Sequence, residues 1–346
     1  MASPGELLRR RIRARGPIPF AEVMETALYG EGGYYARDEL PIGPRGDFVT
    51  GSSLSPLFGA ATARLTRALD EALGRPAAYL EAGYGGGAHL AAVAAELAGS
   101  GRRLLAWDRV PRPVPPGVEL LPDLDALPRR GLEGIVFSYE LFDALPVHRL
   151  VGAAEGPREL LVDLDGEGGF VFTEGPLSSP ELAELPGAPL AAGQIADLAP
   201  GWRPLYRSLA ERLGRGLLVT CDYGFTAERL LDPRVRRHGT LACYRRQRVH
   251  RDPLRDVGRQ DLTAHVDFSA LVQEGEAAGL TTSLWTRQAP WLAACGLLDG
   301  VGAAPPERRV AVQQLLQLDG MGEEIRVLVQ SRGVEVGGLL ELRRLI

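Results

Sequence analysis

The stretch Ala77-Ala78-Tyr79-Leu80-Glu81-Ala82-Gly83-Tyr84-Gly85-Gly86-Gly87-Ala88 constrains this chain most. Its apolar part suits a strand buried in a parallel sheet, and Ala88 to Leu97 continues with helix formers. A strand that breaks into glycines before entering a helix lets a ligand touch bare backbone, because no Cβ stands in the way. The helix N-terminus adds unpaired N–H groups and a positive dipole end. Two kinds of ligand use such a place: the pyrophosphate of a dinucleotide and the amino-acid part of S-adenosylmethionine (SAM).

The glycines alone do not choose between them. Gly83-x-Gly85-x-x-Ala88 fits the dinucleotide fingerprint with Ala in its third place. Gly83-x-Gly85-x-Gly87, with Glu81 two residues upstream, equally fits the pattern of class I methyltransferases. Glu81 tilts the balance, since a carboxylate at the strand tip repels a pyrophosphate but suits a ligand carrying an ammonium and a sulfonium. The next apolar run, Leu104 to Trp107, ends in Asp108. An acid there can accept both ribose hydroxyls of NAD or of SAM, so it supports a nucleoside without choosing one.

At 346 residues the chain can bury a full core in one large domain or two. No apolar run approaches the roughly 20 residues that cross a bilayer. The Arg-rich segment from Met1 to Phe20 resembles an organellar presequence. An amphipathic helix with Leu7, Leu8 and Ile12 inward is the preferred reading. All basic residues are arginine, so no lysine is available as a base or Schiff-base former. Cys221, Cys243 and Cys295 stand apart, without zinc or redox spacing, which fits a reducing cytoplasm. A net charge of −5 argues against a nucleic-acid footprint over the whole chain; the basic run from Arg234 to Arg251 is the one local candidate, and it reads first as a solvated or anion-facing loop.

Strand-like runs alternate with helical ones, which indicates a doubly wound α/β domain. After Asp108 come a short strand near Val118 to Leu121, a buried strand at Gly134 to Ser138, and Leu217 to Cys221. A strand at Leu280 to Trp285 and another at Ile325 to Gln330 follow. Glu159 to Val162 and Gly169 to Thr173 read as a hairpin outside the central sheet. The expected division is an N-terminal helical segment, 1–58, packed on a domain, 59–346, with insertions near 151–200 and 232–265. Ligands collect at the carboxyl ends of such strands. Four strands end in acids there: Glu81, Asp108, Glu140 with Asp143, and Asp222. Asp261, His265 and Asp267 resemble a metal set, but Asp267 is a good N-cap for a helix from Phe268 and Asp261 a turn residue, so no metal is expected.

Taken in order, the segments resemble the MidA-type family, SAM-dependent methyltransferases that include the mitochondrial complex I assembly arginine methyltransferase. The resemblance runs through Gly16 to Met24, Gly33-Tyr34-Tyr35, Gly46-Asp47-Phe48-Val49-Thr50, Phe58-Gly59 and the glycine turn. It continues with Glu140 to Val147, Asp222-Tyr223-Gly224, Gly239-Thr240-Leu241 with Tyr244, Gln260 to Phe268, and Met321-Gly322 with Val327-Leu328. The family usually has Pro where Tyr84 stands, Asn where Tyr139 stands, and Pro-Glu where Ser52-Ser53 stand. These departures set two bulky rings at the expected cofactor rim and remove a carboxylate.

The resemblance implies a class I SAM-methyltransferase sheet, Rossmann-like, with helices on both faces and inserted β and helical elements. It implies SAM held by Glu81, Gly83, Gly85, Gly87 and Asp108, and a protein arginine as acceptor. A guanidinium, with its pKa above about 12, must be clamped by carboxylates and give up a proton as it is methylated. Glu140 and Asp143 are the candidates, with Asp47 next; the other reading of Glu140 and Asp143 is capping of a following helix. Two alternatives stay open: a weakly active or inactive family member that binds a partner protein, and an NAD(P)-dependent oxidoreductase. The sequence is compatible with a homodimer.

Overall fold

A computed structural model describes residues 2–37, 40–41, 43, 46–47, 51, 55–299, 301–317 and 321–340. The chain sorts into two compact units, each made of three chain segments. The first comprises Met1–Phe48, Phe142–Pro204 and Gly224–Ala270; the second comprises Val49–Leu141, Leu205–Tyr223 and Leu271–Ile346.

Among the described residues the second unit is built on seven strands: β1 (Ala78–Ala82), β2 (Leu104–Trp107), β3 (Val118–Leu120), β4 (Leu132–Tyr139), β5 (Leu213–Phe225, whose last two residues are counted with the first unit), β6 (Thr281–Arg287) and β7 (Ile325–Arg332). Their spatial order is β3-β2-β1-β4-β5-β7-β6. Strands β1 to β5 run parallel, and β7 lies antiparallel to both of its neighbours. The expected α/β fold is therefore the observed one, and its central sheet is mixed. Sequence order reverses between β1 and β4, whose register pairs Glu81 with Phe137 and Ala82 with Ser138. Such a switch point opens a crevice at the carboxyl ends of the two strands.

Helix Pro56–Leu73 starts sharply because Ser55 accepts the Leu57 N–H and Pro56 occupies the first helical position. Its Gly59 permits close packing on helix Ala88–Leu97, since a Cβ there would stand 2.6 Å from that of Ala92. Under these helices lies an aromatic core. Phe58 meets Phe137, Tyr139, His89 and Trp291 at centroid distances of 5.2–6.4 Å. Offset and edge-on rings of this kind pack favourably beyond their area alone.

In the first unit, helix Pro4–Arg15 begins with a capping box of Ser3 and Glu6 and buries Leu8 and Ile12, as the amphipathic reading expects, while Leu7, also expected inward, is only half-buried. Strands Arg158–Leu164 and Phe170–Gly175 form the expected hairpin in a separate antiparallel sheet, with Ile18–Pro19, His148–Val151 and Ile195–Leu198. There Arg149 donates to the buried Asp197 at 2.8 Å. The same carboxylate accepts the N–H groups of Thr240 and Leu241. A third sheet joins Ala242–Arg245 to Arg248–His250 and Asp261–Thr263. Asp267 accepts the Ser269 and Ala270 N–H groups and so caps helix Phe268–Ala277 as predicted.

Candidate functional site

In the second unit β1 breaks where Gly83, Gly85 and Gly87 take φ values of +74°, +53° and +74°. Only glycine adopts these angles freely, so the residue type follows from the turn. On one side Gly83 is pressed by Leu141: an added Cβ would stand 2.7 Å from Leu141 Cδ1. On the other side, Cβ atoms at Gly85 or Gly86 would meet nothing within 4 Å. Gly87 then caps helix Ala88–Leu97 with no side chain bonded to the helix start. The turn thus presents bare backbone and uncapped N–H donors to open space. That arrangement fits the anionic and polar groups of the amino-acid part of SAM.

Asp108, at the end of β2, is tied to this turn. Its Oδ2 accepts the Gly85 N–H at 2.9 Å and its Oδ1 the Val110 N–H at 3.0 Å. Burial raises its pKa, and the two backbone bonds work against the rise. Each oxygen retains a lone pair for a ribose hydroxyl.

Glu81 sits deeper, only 3% exposed. Its Oε2 accepts the Tyr79 hydroxyl at 2.9 Å and lies 2.9 Å from His89 Nδ1. His89 Nε2 in turn lies 3.2 Å from the Thr62 hydroxyl. The carboxylate is therefore held from below by a buried polar chain. The sequence reading missed Tyr79 and His89; their one signal was polar groups two before and eight after an acid at a strand tip.

The two aromatic departures do not share a fate. Tyr84 leans over the loop after β2, where its hydroxyl donates to the Arg112 carbonyl at 2.5 Å and accepts the Arg112 N–H at 2.6 Å. It stitches the glycine turn to that loop. Tyr139 was expected at the cofactor rim, yet its ring lies in the core against Phe58. Its hydroxyl donates to Gln288 Oε1 at 2.8 Å. Successive strand residues face opposite ways, so Tyr139 shares the inward face of Phe137. Phe48, Val49, Thr50, Ser52 and Ser53 lie outside the described residues.

Beyond Tyr139, Glu140 takes φ +48°. A left-handed conformation is uncommon for a residue with a long side chain and costs on the order of 1 kcal/mol or more. The backbone fixes it there: the Glu140 N–H donates to the Cys221 carbonyl at 2.9 Å, and the next residue, Leu141, packs on Gly83. Asp222, at the neighbouring strand end, is fully buried and accepts the Tyr223 N–H.

The first unit gathers the remaining acids with tyrosines. Asp47 accepts the Tyr34 hydroxyl at 3.1 Å and the Arg246 N–H at 2.7 Å. Asp261 accepts the Tyr35 hydroxyl at 2.7 Å, and burial pushes its pKa up to about 6. Asp143 is 3% exposed, and its carbonyl accepts the Ala264 N–H. Its charge, with that of Asp261, helps hold the Tyr35 hydroxyl well above its usual pKa, behind burial itself. Asp261 was read as a turn residue; its burial with Tyr35 assigns it instead to this acid–tyrosine group. Among the described residues no group of three or more His, Cys, Asp or Glu is arranged to hold a metal ion. None of their helices is long and apolar enough to cross a membrane.

Comparison with known proteins agrees with the cofactor that the glycine turn fits. Residues 102–286, more than half of the chain, match the family described as "Putative S-adenosyl-L-methionine-dependent methyltransferase". The crystal structure of a Burkholderia thailandensis protein bound to S-adenosyl-homocysteine is 32% identical, with a TM-score of 0.85 over 96% of this chain and 92% of that one. A second, native structure from the same organism is 33% identical over the same shares, with a TM-score of 0.83. Curated relatives include "Protein arginine methyltransferase NDUFAF7 homolog, mitochondrial" of Drosophila melanogaster, 26% identical over 79% of this chain and 70% of its own length. The Mus musculus "Protein arginine methyltransferase NDUFAF7, mitochondrial" is also 26% identical over 79% and 70%. The nicotinamide alternative finds no match among these relatives. The chain belongs to this family of S-adenosyl-L-methionine-dependent methyltransferases.

Proposed function

We propose that this methyltransferase modifies an arginine side chain of a protein acceptor. The observation that carries the reading is Glu140, an acid in a left-handed conformation at the end of the central strand β4. Strained backbone at a non-glycine position collects at functional sites, where a side chain must be aimed in one direction. Its neighbour Leu141 packs on Gly83, so this strand end lies beside the glycine turn. The relatives named as protein arginine methyltransferases support the acceptor class.

In this reading Gly83, Gly85 and Gly87 hold the amino-acid part of SAM against main-chain N–H groups. Asp108 takes the ribose hydroxyls, and Glu81 faces the ammonium. When bound, SAM supplies an electrophilic methyl group on a sulfonium. Glu140 accepts a bidentate pair of hydrogen bonds from the guanidinium and takes its proton as the new N–C bond forms. Alignment of this kind accounts for roughly 7–11 kcal/mol of a barrier in well-oriented reactions.

Labelling tests the reading. Incubation with tritiated-methyl SAM and cell extract is expected to label a protein band that yields methylarginine on acid hydrolysis. Glu140→Gln should abolish the label while calorimetry still registers SAM binding. A label found on another amino acid, or one that survives in Glu140→Gln, would refute the assignment.

A further inference from the structure

In the first unit, two arginines stack over one ring. The Arg229 guanidinium lies 4.7 Å and that of Arg236 4.9 Å from the centroid of Phe225, the last residue of β5. Arg236 is half-buried, and its Nε is shielded from solvent without a hydrogen-bond partner. Burial lowers the pKa of Arg236, and the charges of Arg229 and Arg251 lower it further. Arg229 and Arg251 are exposed. Of the nearby acids, Asp232 is paired with Arg234, Asp252 accepts the Leu254 N–H, and the charge of Glu228 acts on Arg234. Among the described residues no carboxylate forms an ion pair with Arg229, Arg236 or Arg251.

Like charges held this close repel one another unless an anion joins them. Guanidinium forks match carboxylates bidentately, and stacking on an aromatic face holds each fork in a fixed plane. A nucleic-acid strand would need free aromatic faces for its bases, whereas guanidiniums already occupy the Phe225 ring. The net charge of −5 also disfavours a long polyanion. We propose that Arg229 and Arg236, stacked on Phe225, together with the exposed Arg251 whose charge acts on Arg236, dock an acidic segment of the protein acceptor. This rests on the acceptor being a protein, and it adds that carboxylates accompany the arginine to be methylated.

The test uses the full-length protein and fluorescence anisotropy with a labelled glutamate-rich peptide bearing one arginine. Its glutamine counterpart, single-stranded oligothymidylate and inorganic phosphate are the comparison ligands. The acidic peptide should bind best, and more weakly as salt rises. The double variant Arg229→Gln/Arg236→Gln should weaken it roughly tenfold or more. Exposed Arg251→Gln, which disturbs no packing, should weaken it by about threefold. Calorimetric SAM affinity should stay within about twofold in every variant, since these residues lie outside the cofactor machinery. Equal binding of the glutamine peptide, tighter binding of the oligonucleotide, displacement by phosphate alone at low concentration, or unchanged affinity in the variants would overturn the proposal. A wild-type protein that binds the peptide yet transfers no methyl to any protein refutes the acceptor reading while leaving the docking result standing.

Discussion

His89 Nδ1 lies 2.9 Å from Glu81 Oε2, with both side chains buried. The glycine turn runs between them in sequence, so this contact pins the strand before the turn to the helix after it. Tyr79 completes the arrangement from the strand side. Tyr79→Phe leaves the ring in place but removes one donor from a buried carboxylate, at an expected cost of about 1–3 kcal/mol in urea unfolding. The carboxylate is then free to turn, and SAM affinity should fall roughly fivefold, equivalent to ~1 kcal/mol. Unchanged affinity alongside lost stability would show that Glu81 holds the fold and not the cofactor.

Gly83 and Gly85 both carry positive φ, yet they differ in surroundings. Gly83→Ala incurs the left-handed penalty and a clash with Leu141, so it should lose about 2–3 kcal/mol of stability. Gly85→Ala enters open space and should lose only about 1 kcal/mol. Its methyl group instead stands where a ligand approaches the backbone, and SAM affinity should drop by more than stability does. Thermal unfolding and calorimetry on the two variants separate the effects.

These glycines were legible because strand, turn and helix each leave a local mark. Parallel strands buried on both faces read as apolar runs, which is why β1, β2, β4 and the middle of β5 stand out in the sequence. The strands that escaped notice are short and polar. Arg248–His250 and Asp261–Thr263 are three residues each, too short for alternation to register, and Ile195–Leu198 hides in an Ala- and Pro-rich segment. Asp261 itself looked like a turn residue because the hydroxyl that holds it, on Tyr35, is 226 positions away. Tyr139 shows the opposite error. Its place at the end of a strand suggested a rim, while the pleat that buries Phe137 turns Tyr139 to the same inner face.

The buried Asp261 makes stability depend on pH. Its pKa rises from the ordinary 3.8 to about 6, chiefly through burial, with the Tyr35 hydrogen bond opposing the rise. A raised carboxyl pKa means that the folded state holds the proton more tightly than the unfolded state. This group therefore contributes stability below about pH 4 and loses it progressively as pH rises to about 6. Asp261→Asn, whose Oδ1 can still accept from Tyr35, removes the ionisation. It should unfold at higher urea than wild type at pH 8, by on the order of 2 kcal/mol, with little difference at pH 4. A gap that stays constant between the two pH values would contradict the assignment of the titration to this residue.

Glu140 should show function and stability pulling in opposite directions. Its left-handed backbone is unfavourable for any residue with a Cβ, so Glu140→Gly should stabilise the protein by about 1 kcal/mol. Glu140→Gln keeps the strain and the shape but cannot take a proton, so its stability should remain within about 0.5 kcal/mol of wild type. Both substitutions remove the base, and methyl transfer should fall by roughly 10²–10⁴ in each. The pairing of a more stable Glu140→Gly with lost turnover is the informative result. It means that the chain keeps an acid where glycine folds better, because the strand end must present a carboxylate there. If Glu140→Gly gains stability and retains turnover, the proton goes elsewhere, and Asp143 becomes the residue to substitute next.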